Sequence, residues 1–145
     1  MVDLINLSDV VQAVVSSYIE QNSNIKANFD IENNVKVKGD RKLIQIVIHN
    51  LIDSAIKYSS KKEKPFVIFG KVEGEEIFFV KDNGTCIDSN VVSEYYSVQE
   101  PPEKIKIVGA STGLIVASQM ITAYGGNIWV ERKGSTWTII YFTIR

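Results

Sequence analysis

The fold class this sequence predicts is α/β, in one domain of residues 1–145, and three observations carry it. Three stretches repeat apolar residues at spacings of three and four, as helices that bury one face do. Between them lie short runs that alternate or are rich in β-branched and aromatic residues, as strands are. The third observation is size: 145 residues, 45% hydrophobic and 23% charged, suffice for one core but not for two.

Taken in order, Val2 to Ile5 is a short apolar start, after which Ser8 or Asp9 can cap a helix carrying Val10, Val11, Val14, Val15, Tyr18 and Ile19 on its buried side. That helix is expected to end between Gln21 and Asn24. Ile25, Ala27, Phe29 and Ile31 alternate with polar residues and predict a half-buried strand, and Asn33-Asn34 turns the chain into Val35 to Val37. Asp40 then caps a long helix with Ile44, Val47, Ile48, Leu51 and Ala55 as its core stripe. Phe66 to Val72 and Ile77 to Lys81 flank Glu73-Gly74-Glu75-Glu76 as a hairpin. From Asp82 to Gly109 no period persists, and Pro101 and Pro102 fall there, so a long loop is expected. Gly113 to Ala123 returns to helical spacing, Gly125-Gly126 ends it, and 127–132 with 137–144 closes as a hairpin about Gly134.

Charge and composition remove several function classes. Sixteen Lys and Arg against seventeen Asp and Glu give a net charge of −1, so no basic footprint predicts nucleic acid or an anionic membrane as partner. The single Cys86 and single His49 cannot supply an internal disulfide or a usual zinc site. No apolar run reaches the ~18 residues of a membrane span, and Asp3 stands where a signal peptide carries basic residues, which predicts a cytoplasmic location.

Three local features bear on chemistry. On the long helix, Asn50, Ser54, Lys57 and Tyr58 fall at i, i+4, i+7 and i+8 and share a polar face, expected to turn away from the core stripe. Asp82-Asn83-Gly84 follows a strand, where a carboxylate can accept a hydrogen bond from an exocyclic amino group and the glycine lets a flat ring approach. Gly109-Ala110-Ser111-Thr112-Gly113-Leu114 opens a helix, where backbone N–H groups and the helix dipole favour phosphate oxygens.

In that order the three features resemble the nucleotide-binding domain of sensor histidine kinases, a branch of the GHKL (Bergerat-fold) ATPases that includes DNA gyrase and MutL. Gly39 to Gln45 and His49 to Ser59 are similar to the asparagine box and its approach; Phe78 to Gly84 resembles the first glycine box; Thr112-Gly113-Leu114, with Gly125 to Glu131 after it, resembles the second. The resemblance spans essentially the whole chain. It implies a two-layer α/β sandwich, a mixed sheet covered on one face by three helices, with ATP between the long helix and the loop before the last helix. It also implies ATP-site roles for Asn50, Ser54, Lys57, Tyr58, Asp82, Gly84, Gly109, Thr112, Gly113 and Leu114, and Mg²⁺ held at Asn50 and Ser54.

The sequence departs from the family pattern at defined places. Ser54 stands where the family carries a metal-ligating Asn, and a hydroxyl is a shorter and weaker ligand for a hard cation. Thr85-Cys86 replaces the Gly-x-Gly continuation of the first glycine box, Ser111 replaces the middle Gly of the second, and Tyr96 alone keeps an aromatic of the phenylalanine box. Asn50 occupies the position where ATP-hydrolysing relatives carry a general-base Glu, and an amide cannot take a proton from water. His49 is followed by Asn50 rather than an acid, which argues for a helix-flank residue and not a phosphoacceptor. Trp129 and Trp137 are expected as core or sheet-face aromatics, and Gln99 to Val108 as a lid that is mobile without ligand.

Two functions follow from these residues. One is the ATP-binding half of a sensor histidine kinase, whose partners are the phosphoacceptor and dimerisation hairpin of the parent kinase and a response regulator. The alternative is a degenerate domain that serves as a regulatory or partner-docking module without Mg-ATP turnover.

Overall fold

The protein was analysed as a computed structural model that describes residues 3–21, 26–60, 62–84, 112–133 and 137–144. In chain order the elements are β1 (Asp3–Asn6), α1 (Leu7–Gln21), β2 (Asn28–Ile31), β3 (Lys36–Gly39), α2 (Arg41–Ser59), β4 (Phe66–Lys71), β5 (Phe78–Asp82), α3 (Thr112–Ala123), β6 (Ile128–Lys133) and β7 (Trp137–Phe142). Strands β1 and β3 form an antiparallel pair, and the other five form one mixed sheet in the order β2-β4-β5-β7-β6. Its β2–β4 pair is parallel and its remaining pairs are antiparallel. The predicted loop from 85 on, with Cys86, Tyr96, the expected lid, Gly109 and Ser111, lies outside the described residues, as does the turn about Gly134.

Strand alternation sorts the sheet into two faces. Val67 and Phe69 of β4, Phe78 and Val80 of β5, Ile128 and Val130 of β6, and Ile140 and Phe142 of β7 are buried in one core with the helices. All five predicted stripe residues of α2 lie in that core, because apolar positions at helical spacing form one continuous face that burial removes from water. Asp40 caps α2 as expected, its carboxylate accepting from Lys42 N–H at 2.9 Å and Leu43 N–H at 3.2 Å.

On the opposite face, Gly70, Phe79, Tyr141 and Trp129 are register neighbours across four strands. The Trp129 and Tyr141 rings stack at 5.5 Å, and Phe79 tilts against Tyr141 at 6.3 Å. The Lys81 ammonium stands 4.5 Å from the Trp137 ring centre. Both tryptophans are therefore sheet-face residues.

Helix α1 differs from the expectation at both ends. It begins at Leu7, with the Asn6 side chain accepting from Asp9 N–H at 3.1 Å, so neither Ser8 nor Asp9 is the cap. Ser8 is instead buried and closes the turn between β2 and β3, accepting from Val35 N–H at 2.9 Å and donating to Glu32 C=O at 2.5 Å. A buried hydroxyl that satisfies two backbone groups is more useful there than at an exposed cap. Ile19 is 50% exposed, whereas Val10, Val11 and Val15 nearer the start of the helix are buried.

Helix α3 ends with Gly126 N–H bonded to Ile121 C=O at 2.9 Å and Gly125 N–H to Thr122 C=O at 3.1 Å, the two bonds of a Schellman cap.

The contact that fixes α2 against β5 is between backbones. A Cβ on Gly84 would lie 2.2 Å from the Tyr58 carbonyl oxygen and 2.7 Å from Ser59 N. Neither atom belongs to a flexible side chain, so Gly84→Ala must separate the end of β5 from the end of α2. It is expected to lower stability by about 2–3 kcal/mol in urea denaturation. Gly74→Ala, in the hairpin turn with φ +78° and open space around it, is expected to cost only the backbone strain, about 1 kcal/mol. Equal losses for the two variants would contradict this account.

Candidate functional site

The site is built along one flank of α2. Asn50 donates its amide to Ile46 C=O at 2.8 Å, and the Ser54 hydroxyl donates to Asn50 C=O at 2.9 Å. Against this pair sits the first turn of α3: a Cβ on Gly113 would lie 3.0 Å from Asn50 O, 3.2 Å from Ser54 Oγ and 3.4 Å from Asn50 Oδ1. Leu114, next in sequence, is fully buried and anchors α3 in the core. Ser54 is consequently 0% exposed. The cause is Gly113, which lacks a side chain that would keep α3 away from this flank.

The second part of the site is the end of β5. Asp82 is 0% exposed and, by alternation with Phe78 and Val80, is aligned with the helix-facing side of the sheet. Its Oδ1 accepts from Gly84 N–H at 2.8 Å, and Thr138, opposite it on β7, donates to Gly84 C=O at 3.1 Å. Asn83 works outward, accepting from Phe66 N–H at 2.9 Å and donating to Lys64 C=O at 2.8 Å. The Asp-Asn-Gly string thus serves as both a strand terminus and a scaffold for one buried carboxylate. Gly84 touches the Tyr58–Ser59 peptide, which brings the half-buried Tyr58 to the same corner.

Lys57 departs from the rest of the predicted set. Its ammonium pairs with Asp53 Oδ2 at 3.1 Å, while the Tyr18 hydroxyl of α1 donates to Asp53 Oδ1. Burial pushes the Tyr18 phenol well above its usual ionisation range, and the hydrogen bond to Asp53 and the charge of that carboxylate push in the same direction. His49, exposed on α2, stacks on the Tyr18 ring at 5.7 Å, a helix-flank role as expected. Tyr18, Asp53 and Lys57, with Ile56 among others, line a cleft of about 580 Å³ beside the end of α2.

The structure therefore gathers Asn50, Ser54 and Gly113 at one point and Tyr58, Asp82 and Gly84 at another, both along α2, and it turns Lys57 toward α1. Thr112 opens α3. Sequence reasoning missed Asp53, Tyr18 and Thr138. The Asp53–Lys57 spacing of i, i+4 is a readable signal, whereas the apolar spacing of α1 assigns Tyr18 to its buried stripe.

Chemically, a buried acceptor beside a half-buried aromatic suits a flat heterocycle with an amino group, and a helix start beside an amide suits an anion. For Mg²⁺ the donors fit only in part. Asn50 Oδ1 is a suitable hard ligand, but the Ser54 hydroxyl is enclosed and already donates to a carbonyl. Among the described residues no group of three or more His, Cys, Asp and Glu side chains could hold a metal. No described helix is long and apolar enough to cross a membrane.

Comparison with known proteins agrees with this geometry. Residues 39–145 match the family described as histidine kinase-, DNA gyrase B- and HSP90-like ATPase. The chain is 33% identical over 115 residues to the methanogenesis regulatory histidine kinase FilI of Methanothrix harundinacea (strain 6Ac), covering 75% of this chain and 12% of that protein. It is 32% identical over 114 residues to the sensor histidine kinase WalK of Bacillus subtilis (strain 168), covering 74% of this chain and 18% of that one. The chain thus spans less than a fifth of the length of these two relatives. Its fold superposes on the catalytic domain of histidine kinase ThkA with a TM-score of 0.69 at 19% identity, covering 98% of this chain and 93% of the other. The mixed five-stranded sheet with three helices and the matched sequence together establish that the chain belongs to the histidine kinase-, gyrase B- and HSP90-like ATPase family.

Proposed function

We propose that residues 1–145 form the ATP-binding catalytic domain of a two-component sensor histidine kinase, acting in the cytoplasm and donating the γ-phosphoryl group of ATP to a histidine on a separate helical hairpin. The observation that carries this reading is Asp82, a carboxylate with no exposed surface held at a strand end beside α2. An acceptor in that position suits the exocyclic amino group of adenine. Tyr58 offers a ring face to the base, and the start of α3 offers N–H groups to the phosphates. Lys57 supplies the positive charge that this reading assigns to the phosphates, although its ammonium is paired with Asp53 on the α1 side.

Bound Mg²⁺ would offset charge on the phosphates, with Asn50 as the protein residue suited to hold it. Catalysis in this reading is positioning: the chain orients ATP, and the Asn50 amide cannot serve as a general base. The hairpin, the sensor and the response regulator that receives the phosphoryl group belong to other segments or chains. The named relatives are sensor histidine kinases several times longer than this chain, which supports that division of labour.

Calorimetry with ATP, with and without Mg²⁺, tests the reading. Asp82→Asn presents a donor toward the adenine amino group, and losing a hydrogen bond to a charged acceptor is expected to weaken ATP roughly ten- to hundredfold. Unchanged affinity in the folded variant would remove Asp82 from the site. No binding by the parent chain at millimolar ATP would instead favour the regulatory or docking module.

A second expectation concerns His49. Incubated alone with ATP and Mg²⁺, the chain should acquire no acid-labile phosphate, since its one histidine is stacked on Tyr18 within the donor domain. Label should appear only when a phosphoacceptor hairpin is added. Phosphate on His49 itself would overturn the assignment of donor and acceptor to separate segments.

A further inference from the structure

Lys57 is the cation that the nucleotide reading needs, yet it lies with α1 rather than with the nucleotide flank. The cleft it lines includes Tyr18 and Asp53 and none of Asn50, Ser54, Tyr58, Asp82, Gly84 or Gly113. The arrangement is specific at the level of atoms. Asp53 Oδ2 takes the Lys57 ammonium at 3.1 Å, and Asp53 Oδ1 takes the Tyr18 hydroxyl, so each carboxylate oxygen has its own partner on a different helix. Asp53 is only 17% exposed, whereas Lys57 is 66% exposed. The carboxylate is thus the fixed member of the pair and the lysine the movable one. The His49 ring against Tyr18 holds the phenol over α2.

We infer that Asp53, fixed by Tyr18 of α1, is a positioning residue that holds the Lys57 ammonium on the α1 side of the helix, so that Lys57 must exchange this carboxylate for a phosphate when nucleotide binds. The inference rests on the reading of α2 as the nucleotide flank. Its consequence is that part of the affinity for the phosphates is spent on breaking the Asp53–Lys57 pair, and that α1 sets how much. An i, i+4 pair whose lysine is largely exposed is weak, so the effect is a small factor. It acts only through charge on the ligand, so adenosine does not feel it.

The test is calorimetric titration of ATP and of adenosine, at one ionic strength, into the parent chain, Asp53→Asn, Lys57→Gln and the double variant. Asp53→Asn is expected to bind ATP about two- to fivefold more tightly and adenosine equally well, with the gain absent in the Lys57→Gln background. Unchanged or weaker ATP binding by folded Asp53→Asn overturns the inference, as does an equal gain in the Lys57→Gln background, which would mean that Asp53 merely repels the phosphates. Tyr18→Phe keeps the ring and removes the hydrogen bond, and any change in ATP affinity it causes must vanish when combined with Asp53→Asn. Should Asp53→Asn not fold, Asp53→Ser replaces it in every arm. A parent chain that binds no ATP overturns the nucleotide reading itself, whereas a parent that binds ATP no more weakly than Asp53→Asn overturns only the role of Asp53.

Discussion

The backbone of α2 is approached by glycine from two sides, and the rest of the arrangement depends on how close that approach is. Gly84 at the end of β5 meets the Tyr58–Ser59 peptide, and Gly113 at the start of α3 meets Asn50 and Ser54. Any side chain at the first would collide with backbone atoms that cannot turn aside, and one at the second would press on the two polar residues of the flank. These contacts set the distance between sheet and helix and between helix and helix. In doing so they set the corner that holds Asp82 and the gap in which α3 begins.

With α2 fixed in this way, its circumference divides by neighbour. Ile44, Val47, Ile48, Leu51 and Ala55 meet the core. Asn50 and Ser54 meet α3, while Asp53 and Lys57 meet α1 through Tyr18. Three surroundings around one helix are how a single 19-residue element can bury apolar area, line a polar corner and carry a charge pair at once.

Most of the fold was legible in the sequence because its causes are local. Apolar spacing located α2 and its stripe, Asp40 marked its start, and the β-branched and aromatic runs about Gly74 marked the hairpin of β4 and β5. The errors came from contacts between residues far apart in the chain. Ser8 reads as a cap, but it is used to bond Glu32 and Val35, 24 and 27 residues away. Ser54 reads as part of a polar face beside the stripe, and its full enclosure depends on the docking of Gly113, far along the chain. The candidate site was legible as a set of residue types, and Asp82, Asn50 and Gly113 do lie on two linked corners. The direction taken by Lys57 was not legible, since it depends on a carboxylate whose second oxygen is held by a residue on another helix.

The aromatic line on the far side of the sheet has an optical consequence. Both tryptophans of the chain, Trp129 and Trp137, stand on the face away from the helices, one stacked on Tyr141 and the other beneath the Lys81 ammonium. Both rings depend for their surroundings on the pairing of β5, β6 and β7 and lie across the sheet from the α2 flank. Intrinsic fluorescence in this protein is therefore expected to follow strand separation during denaturation, with Trp129, stacked on Tyr141 away from the helices, as its sheet-face reporter.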